Sequence, residues 1–143
     1  MKSSLRPYAF ALFSLLLIPV FNACIPEDDL DPDTGDPREK FIGSWIFSDA
    51  PALRSVKATY TVTISNDPGN STQVLLRNFA GAGGMYSAYG IVTADRITVP
   101  EQEMATGFIV EGSGDLTSDD FMEWQYTITA GGDMENFSAS ASR

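Results

Sequence analysis

The sequence has no histidine and only one cysteine among its 143 residues. Without histidine, a serine or cysteine nucleophile has no imidazole base and zinc has no imidazole ligand. One cysteine closes no internal disulfide and builds no thiolate metal cage. These absences exclude the commonest hydrolase and zinc chemistries, and we expect no catalytic residue, no cofactor and no bound metal.

Basic residues are also scarce. Nine Lys and Arg stand against 19 Asp and Glu, which gives a net charge of −10. A protein that binds nucleic acid needs a basic surface to neutralise phosphates. The charge balance therefore excludes nucleic acid as a partner.

The N-terminal residues have the composition of a secretion signal. Lys2 and Arg6 precede an apolar run of 14 residues, Tyr8–Phe21, which is shorter than the ~20 residues of a membrane-spanning helix. Asn22-Ala23-Cys24 follows. A small residue directly before the only cysteine, at the end of such a run, resembles the lipobox of bacterial lipoproteins. The alternative is an ordinary signal peptide whose cysteine falls there by chance.

The lipobox resemblance implies that residues 1–23 are removed as a signal peptide and that Cys24 becomes the lipid-modified N-terminus. Lipid chains contribute about 0.8 kcal/mol per buried CH₂, and stable anchoring takes more than one chain. The diacyl or triacyl group of bacterial lipoproteins meets that condition. We therefore expect the protein to contact the membrane through its N-terminal lipid only.

Residues 24–37 are predicted to form the lipidated cysteine and a disordered acidic tether. Six of the 13 residues in Ile25–Pro37 are acidic and three are proline, so the segment buries too little to offset its ordering entropy. Glu27, Asp28 and Asp29 resemble the acidic export signal of Bacteroidota lipoproteins. That resemblance implies an outer-membrane lipoprotein facing the cell surface, the alternative being one that faces the periplasm. A calcium loop is the other interpretation of the tether's carboxylates, although Asp31-x-Asp33-x-Gly35-Asp36 has glycine where an EF-hand has its third ligand.

Residues 38–143 are predicted to form an all-β domain, because apolar and polar residues alternate with period two between turn signals. About eight short antiparallel strands are compatible with two architectures, an up-and-down barrel and a β-sandwich. The breaks between strands in the following stretch are predicted at Ser113-Gly114-Asp115 and Ser118-Asp119-Asp120. The predicted strands are Phe41–Ser48, Ala58–Ser65, Val74–Phe79, Met85–Ala94, Arg96–Pro100, Thr106–Gly112, Met122–Thr129 and a last strand containing Phe137–Ser142.

A resemblance favours the barrel. Gly43-Ser44-Trp45, on the first strand, resembles the Gly-x-Trp signature of lipocalins and their calycin relatives. Short segments across residues 36–100 resemble the small lipocalin-like lipoproteins of Bacteroidota. The resemblance implies an eight-stranded barrel in which Trp45 packs across one end beneath a basic residue, and Arg143 is the nearest counterpart.

Large aromatic residues on the apolar strand faces are the candidates for a ligand pocket. An eight-stranded barrel is just wide enough to be filled by side chains or to hold one small ligand. The same residues are therefore compatible with either a packed core or a narrow pocket. In a pocket, the small residues Ala88, Gly90, Ala139 and Ala141 would leave room for the ligand. Tyr86 and Tyr89 are candidates for stacking on glycans. The pocket or core candidates are Trp45, Tyr60, Trp124, Tyr126 and Phe137, together with Phe41 and Phe47.

The sequence thus predicts a membrane-anchored lipoprotein with a non-enzymatic binding role, for a small apolar ligand, a glycan or a protein partner. The alternative is a structural or interaction domain with a filled core and no ligand. A distant alternative is a glycoside hydrolase that uses paired carboxylates. Its candidate pairs are Glu101 with Glu103, and Asp119 with Asp120.

Overall fold

The structure, a computed structural model, describes residues 35–51 and 58–143. The described residues belong to one compact unit, Pro32–Arg143, and they contain eight strands and two 3₁₀ helices. No helix in this part of the chain has the length and apolar character needed to cross a membrane. The 3₁₀ helices are Glu39–Phe41 and Phe79–Gly81, and the strands are β1 (Gly43–Pro51), β2 (Ala58–Asn66), β3 (Gln73–Arg77), β4 (Ser87–Thr93), β5 (Arg96–Ala105), β6 (Phe108–Ser118), β7 (Phe121–Ala130) and β8 (Asp133–Ser142).

The strands form one closed barrel in chain order. Each strand pairs antiparallel with the next, and β8 returns to pair with β1, so that Phe47 lies opposite Tyr60 on one side and Ala141 on the other. The prediction of an eight-stranded antiparallel up-and-down barrel is confirmed. The alternative β-sandwich is wrong, because a sandwich leaves edge strands and this sheet closes on itself.

Side chains alternate between the barrel interior and the outside, since successive strand residues point to opposite faces. In β2, Val62 and Ile64 are buried while Thr61 and Ser65 are exposed. One hydrophobic core results, and it runs through the whole barrel. Its buried apolar residues are Phe41, Trp45, Phe47, Val62, Ile64, Val74, Leu76, Phe79, Ala88, Val92, Ile97, Val99, Val110, Met122, Trp124, Tyr126, Ala139 and Ala141.

One predicted break in the chain is wrong. Ser113-Gly114-Asp115 lies in the middle of β6, which is a single strand of 11 residues. The glycines of this strand serve packing and not a turn. A Cβ added to Gly114 would lie 2.2 Å from Cε2 of Trp124, and one added to Gly112 would lie 2.4 Å from Cβ of Tyr126. Two large side chains of β7 therefore lie directly against the β6 backbone.

Several predicted strand ends also differ. Phe41 belongs to the first 3₁₀ helix and β1 starts at Gly43, whereas the third predicted strand ends at Arg77. β5 runs five residues past Pro100, to Ala105, through two register shifts. There the Gln102 side chain accepts a hydrogen bond from the Tyr89 N–H at 2.9 Å and donates one to the Tyr89 carbonyl at 2.8 Å. This amide substitutes for backbone partners where the β4–β5 ladder has ended.

The end of the barrel at which β1 begins is closed by side chains, and we call it the sealed end. Trp45 and Phe41 are fully buried there, and the Trp45 Nε1 donates to the Phe41 carbonyl at 2.8 Å. The Arg143 guanidinium lies 4.5 Å from the centroid of the Trp45 ring. Its Nη1 donates to the Ile42 carbonyl at 3.3 Å, so the last described residue covers the first strand.

Three basic side chains at the sealed end each hold one of its three turns. Arg38 is also fixed by Asp36, and this hydrogen bond holds the pKa of the Asp36 carboxyl at about 2. Since the three cations reach three different turns, they tie all three hairpins of the sealed end to the N-terminal and C-terminal segments. The contacts are Arg38 to the Asn70 and Gln73 carbonyls at 3.0 and 3.2 Å, Lys40 to Asp95, and Arg143 to Asp120 at 3.1 Å.

Candidate functional site

The opposite end of the barrel, which we call the mouth, is built differently. Thr106-Gly107 joins β5 to β6 and Gly131-Gly132 joins β7 to β8, and all three glycines have positive φ. Such tight turns carry few side chains and therefore project little over the rim. The longer connection between β3 and β4 contains the second 3₁₀ helix. Residues 52–57, between β1 and β2, lie outside the described residues.

A rim of half-buried apolar side chains surrounds the mouth. Each packs against the core and keeps part of its surface exposed. Met85 and Met134, in the neighbouring connection and at the start of β8, are 94% and 67% exposed. Adaptable methionines beside half-buried rings make a surface that an apolar ligand can cover. The rim side chains are Tyr60, Met104, Phe108, Ile128 and Phe137.

Beneath the rim, aromatic rings fill the barrel interior. The Phe47 ring centroid lies 5.4 Å from that of Trp124 and 5.8 Å from that of Tyr60. Tyr126 stacks on Phe137 with centroids 5.1 Å apart and planes 7° apart. Pairs of this kind contribute about 0.5–1.5 kcal/mol each beyond the burial of their area. Five of the seven candidates from the sequence therefore meet in one cluster near the mouth: Phe47, Tyr60, Trp124, Tyr126 and Phe137.

Phe79 enters this cluster from the β3–β4 connection. Its ring is fully buried, 5.3 Å from Trp124 and 5.2 Å from Tyr126 between centroids. Asn78 and Ala80, on either side of it, have φ values of 65° and 54°. Left-handed backbone costs about 1–2 kcal/mol for a residue such as alanine. The strained segment holds Phe79 as a plug between the rim and the deeper core.

A carboxylate lies among these rings. Asp49 is 5% exposed, and it accepts a hydrogen bond from the Tyr60 hydroxyl at 3.1 Å. The Tyr60 hydroxyl also lies 3.1 Å from the Tyr126 hydroxyl. Burial raises the pKa of the Asp49 carboxyl, and the two tyrosine hydroxyls offset part of that shift. Burial likewise raises the pKa of both tyrosines, so both stay protonated donors.

The sequence interpretation missed Asp49 and Phe79. The first predicted strand stopped at Ser48, and continuing its alternation of Trp45 and Phe47 by one step places Asp49 inside the barrel. An acidic residue at an inward position of an apolar alternation is the signal that identifies it. Phe79 had no such signal, because its inward direction comes from the backbone of the connection and not from strand parity.

Trp45 does not join the other candidates. It lies at the sealed end under Arg143, and the ring–ring contacts of residues 35–51 and 58–143 involve other aromatics. Trp124 is inside the cluster with 1% exposure, and its Nε1 has no hydrogen-bond partner. The small residues do not provide open space at Gly90, where a Cβ would lie 2.5 Å from Ile97 Cγ2 and 3.0 Å from Leu76 Cδ1.

The remaining candidates do not assemble a second site. Tyr86 lies in the β3–β4 connection, whereas Tyr89 lies within β4 opposite Leu75. Glu103 accepts a hydrogen bond from the Gly107 N–H at 2.7 Å. Asp120 holds Arg143 and therefore serves the sealed end. Within the described ranges, no group of three acidic or cysteine side chains is placed to hold a metal ion.

Some predictions concern residues that the structure does not describe. The lipid-attachment residue Cys24 and the export-signal residues Glu27, Asp28 and Asp29 all lie outside the described residues. The signal peptide and most of the acidic tether lie there too. These predictions stay predictions.

A polar groove of about 560 Å³ runs along the outside of β5–β8 and β1. Its wall includes Ser113, Gln125 and Ser138, which form one row across β6, β7 and β8. Arg96 makes two hydrogen bonds of 2.7 Å to Asp115. A hydrophilic surface whose cation is already engaged offers little to an apolar ligand, so the mouth is the better candidate site.

No protein-family model matches the chain, and no curated protein sequence matches it. Two solved structures are similar to it. A protein named EF1p2_mFAP2b, solved bound to DFHBI, is 12% identical with a TM-score of 0.48, over 76% of this chain and 99% of its own. A redesigned β-barrel is 14% identical with a TM-score of 0.51, over 77% of this chain and 96% of its own. The chain is therefore similar in fold to a redesigned β-barrel, and the likeness extends to the fold alone.

Proposed function

We propose that this protein is a membrane-anchored lipoprotein whose barrel binds a small apolar molecule at its mouth, without enzymatic activity. The difference between the two barrel ends carries the proposal. Arg38, Lys40 and Arg143 close one end. At the other end, half-buried apolar side chains gather around an aromatic cluster. More half-buried apolar side chains lie at the mouth than at the sealed end, where Ile42 and Leu116 are half-buried, and a seat for an apolar ligand needs such surface.

The lipocalin-like lipoproteins of Bacteroidota are the family we propose for the chain. The Gly43-Ser44-Trp45 motif and the 4.5 Å contact between Arg143 and the Trp45 ring support that assignment. Anchoring through Cys24 and the acidic Glu27-Asp28-Asp29 cluster support a position on the outer membrane, facing the cell surface. Labelling of intact cells with a reagent that does not cross the membrane distinguishes this orientation from one that faces the periplasm.

Cys24→Ala is expected to move the protein from the membrane fraction to the soluble fraction, because the lipid on Cys24 is the proposed attachment. Fractionation of the host cells followed by immunoblotting measures the effect. Asn22→Ala leaves the cysteine in place and is the matched control, so it should remain with the membranes. A Cys24→Ala protein that still sediments with membranes contradicts the lipoprotein proposal.

A second candidate function has its own supporting observation. The rings of Phe47, Phe79, Trp124 and Tyr126 pack against one another and fill the interior. Ile46 and Phe121 are exposed on the outer wall, at 52% and 37%. A filled interior with apolar residues outside suits an interaction domain that binds a protein or glycan partner and no small ligand.

Native mass spectrometry of the protein, extracted from host membranes in mild detergent, separates the two candidates. We expect a reproducible extra mass that denaturation removes. Phe108→Ser on the rim should reduce the occupied fraction at least about fivefold, since an apolar contact of this size contributes about 1–3 kcal/mol. Ile91→Ser on the outer wall is the control and should keep the extra mass. Extraction of only the bare protein favours the interaction domain.

A further inference from the structure

We infer that the ligand of the mouth is a compact molecule built on one aromatic ring that carries a hydrogen-bond acceptor. Its ring displaces Phe79 from the barrel interior, and its acceptor receives a hydrogen bond from the Trp124 Nε1. This inference rests on the proposed function, because it names the class of ligand that the mouth takes and the place where the ligand's ring lies.

Phe79 is held in the aromatic cluster differently from its neighbours. Its ring centroid lies 6.2 Å from that of Phe47, 5.3 Å from that of Trp124 and 5.2 Å from that of Tyr126. These three neighbours lie on β1 and β7, where the paired backbone of the barrel fixes them. Phe79 comes from the β3–β4 connection, so its ring can leave without breaking a strand pair. The space that it leaves is one ring in size and has aromatic walls.

Asn78 is the polar anchor of the connection that carries Phe79. Its Nδ2 donates to the Thr61 carbonyl on β2 at 2.9 Å, and its Oδ1 accepts a hydrogen bond from the Gly83 N–H at 2.8 Å. Asn78 and Ala80 both have left-handed backbone, which is unfavourable for alanine. Burial of the Phe79 ring therefore maintains a strained segment. A ligand ring that replaces Phe79 fills the same space and lets that segment relax.

Trp124 contributes a donor that lacks an acceptor. The residue is 1% exposed, and its buried Nε1 has no hydrogen-bond partner among the described residues. A buried donor without an acceptor is costly, and native structures contain few of them. Because the rings of Trp124 and Phe79 are in direct contact, an acceptor on a ring in the Phe79 position lies beside the indole. A carbonyl or ether oxygen there supplies the partner, whereas a hydrocarbon of the same shape does not.

Two compounds of the same shape test the acceptor: acetophenone, and α-methylstyrene, in which a CH₂ group replaces the carbonyl oxygen. NMR titration of the purified protein at pH 7 gives both affinities. Trp124→Phe keeps an aromatic ring in the cluster and removes the donor. The ratio of the two affinities should favour acetophenone at least about fivefold more in the unaltered protein than in this variant, since only the former has a donor to pair.

The indole signals of the unaltered protein report the same contact directly. The chain has two tryptophans, and the Trp45 Nε1 already donates to the Phe41 carbonyl, so Trp45 is an internal control. The Trp124 N–H signal should move further downfield with acetophenone than with α-methylstyrene, while the Trp45 signal stays in place. The ring signals of Phe79 should move toward the values of an exposed phenylalanine with both compounds.

Asn78→Ala tests the displacement of Phe79. It removes the hydrogen bonds to Thr61 and Gly83 and places alanine on left-handed backbone, so it destabilises the state in which Phe79 fills the barrel. The fraction of protein that can bind then rises, and both compounds should bind about tenfold tighter. Gly84→Ala is the control in the same connection, because its Cβ meets nothing within 4 Å. It should keep both affinities within about twofold.

The outcomes separate this inference from the proposed function. Tighter binding in Asn78→Ala, together with an acetophenone preference that depends on Trp124, supports the inference. Phe79 signals that stay in place on binding, or affinities that Asn78→Ala leaves unchanged, overturn it and leave binding at the rim intact. An affinity ratio that Trp124→Phe does not alter also overturns it.

Absence of binding is decisive as well. If neither compound binds while the host protein carries an extra mass, the inference fails and the proposed function stands. If the host protein carries no extra mass either, both fail. The spectra of the unaltered protein give the position of Phe79 and the state of the Trp124 N–H even if a variant does not fold.

Discussion

Gly114→Ala is expected to lower the free energy of unfolding by about 3 kcal/mol, the upper part of the range for overpacking a core. The new Cβ would lie 2.2 Å from Cε2, 2.4 Å from Cδ2 and 2.6 Å from Cζ2 of Trp124. Real Cβ atoms do not approach so closely, so the indole ring or the β6 backbone must shift. The ring has no free direction, because Phe47 and Phe79 contact it with centroids 5.4 and 5.3 Å away.

Urea unfolding followed by circular dichroism measures the change. Gly84→Ala is the matched control, because a Cβ there meets nothing within 4 Å and the residue does not have positive φ. Its free energy of unfolding should change by less than about 0.5 kcal/mol, as for most surface substitutions. Equal unfolding midpoints for the two variants would contradict the assignment of Gly114 to the packing of Trp124.

Phe79→Ala is expected to lower the free energy of unfolding by about 3–5 kcal/mol, the usual cost of removing a buried phenylalanine. The ring lost is in contact with Phe47, Trp124 and Tyr126, and these neighbours are held by their own strands. A cavity of roughly ring size should therefore remain below the mouth. An apolar cavity of this kind stays dry and binds benzene.

Thermal unfolding with and without saturating benzene tests both parts of this prediction. The Phe79→Ala protein should regain several degrees in benzene, since a ligand that binds only the folded state stabilises it. Met85→Ala changes a residue of the same connection that is 94% exposed, and it should neither lose stability nor respond to benzene. A Phe79→Ala protein as stable as the original would show that Phe79 is not a plug.

Local alternation was enough to predict the strands whose two faces differ clearly. β2 is the clearest case: its predicted range was Ala58–Ser65 and its observed range is Ala58–Asn66. Alternation does not specify closure, however, because a sandwich and a barrel bury one face of each strand alike. The choice of the barrel depended on the Gly43-Ser44-Trp45 resemblance, and the pairing of β8 with β1 confirms that choice.

Other features depend on contacts that local pattern does not contain. Ser113-Gly114-Asp115 has the composition of a turn when it is considered alone. In the structure Gly114 instead gives room for the Trp124 ring, which lies against the β6 backbone. The direction of Phe79 depends on left-handed backbone at Asn78 and Ala80, which those residue types adopt only when tertiary structure requires it. The aromatic strand residues of the mouth were therefore predictable from the sequence. The Phe79 plug and the buried Asp49 carboxylate were not.

The return of β8 to β1 also determines the order in which the molecule assembles. Ile42 and Arg143 are 101 residues apart and contact each other, so the barrel closes only after β8 has left the ribosome. Until then β1 and β7 each present an unpaired row of backbone N–H and C=O groups to any other chain nearby. Contacts between distant residues also slow folding. The chain should thus be most dependent on chaperones just before its last strand appears, and least prone to aggregation once that strand is in place.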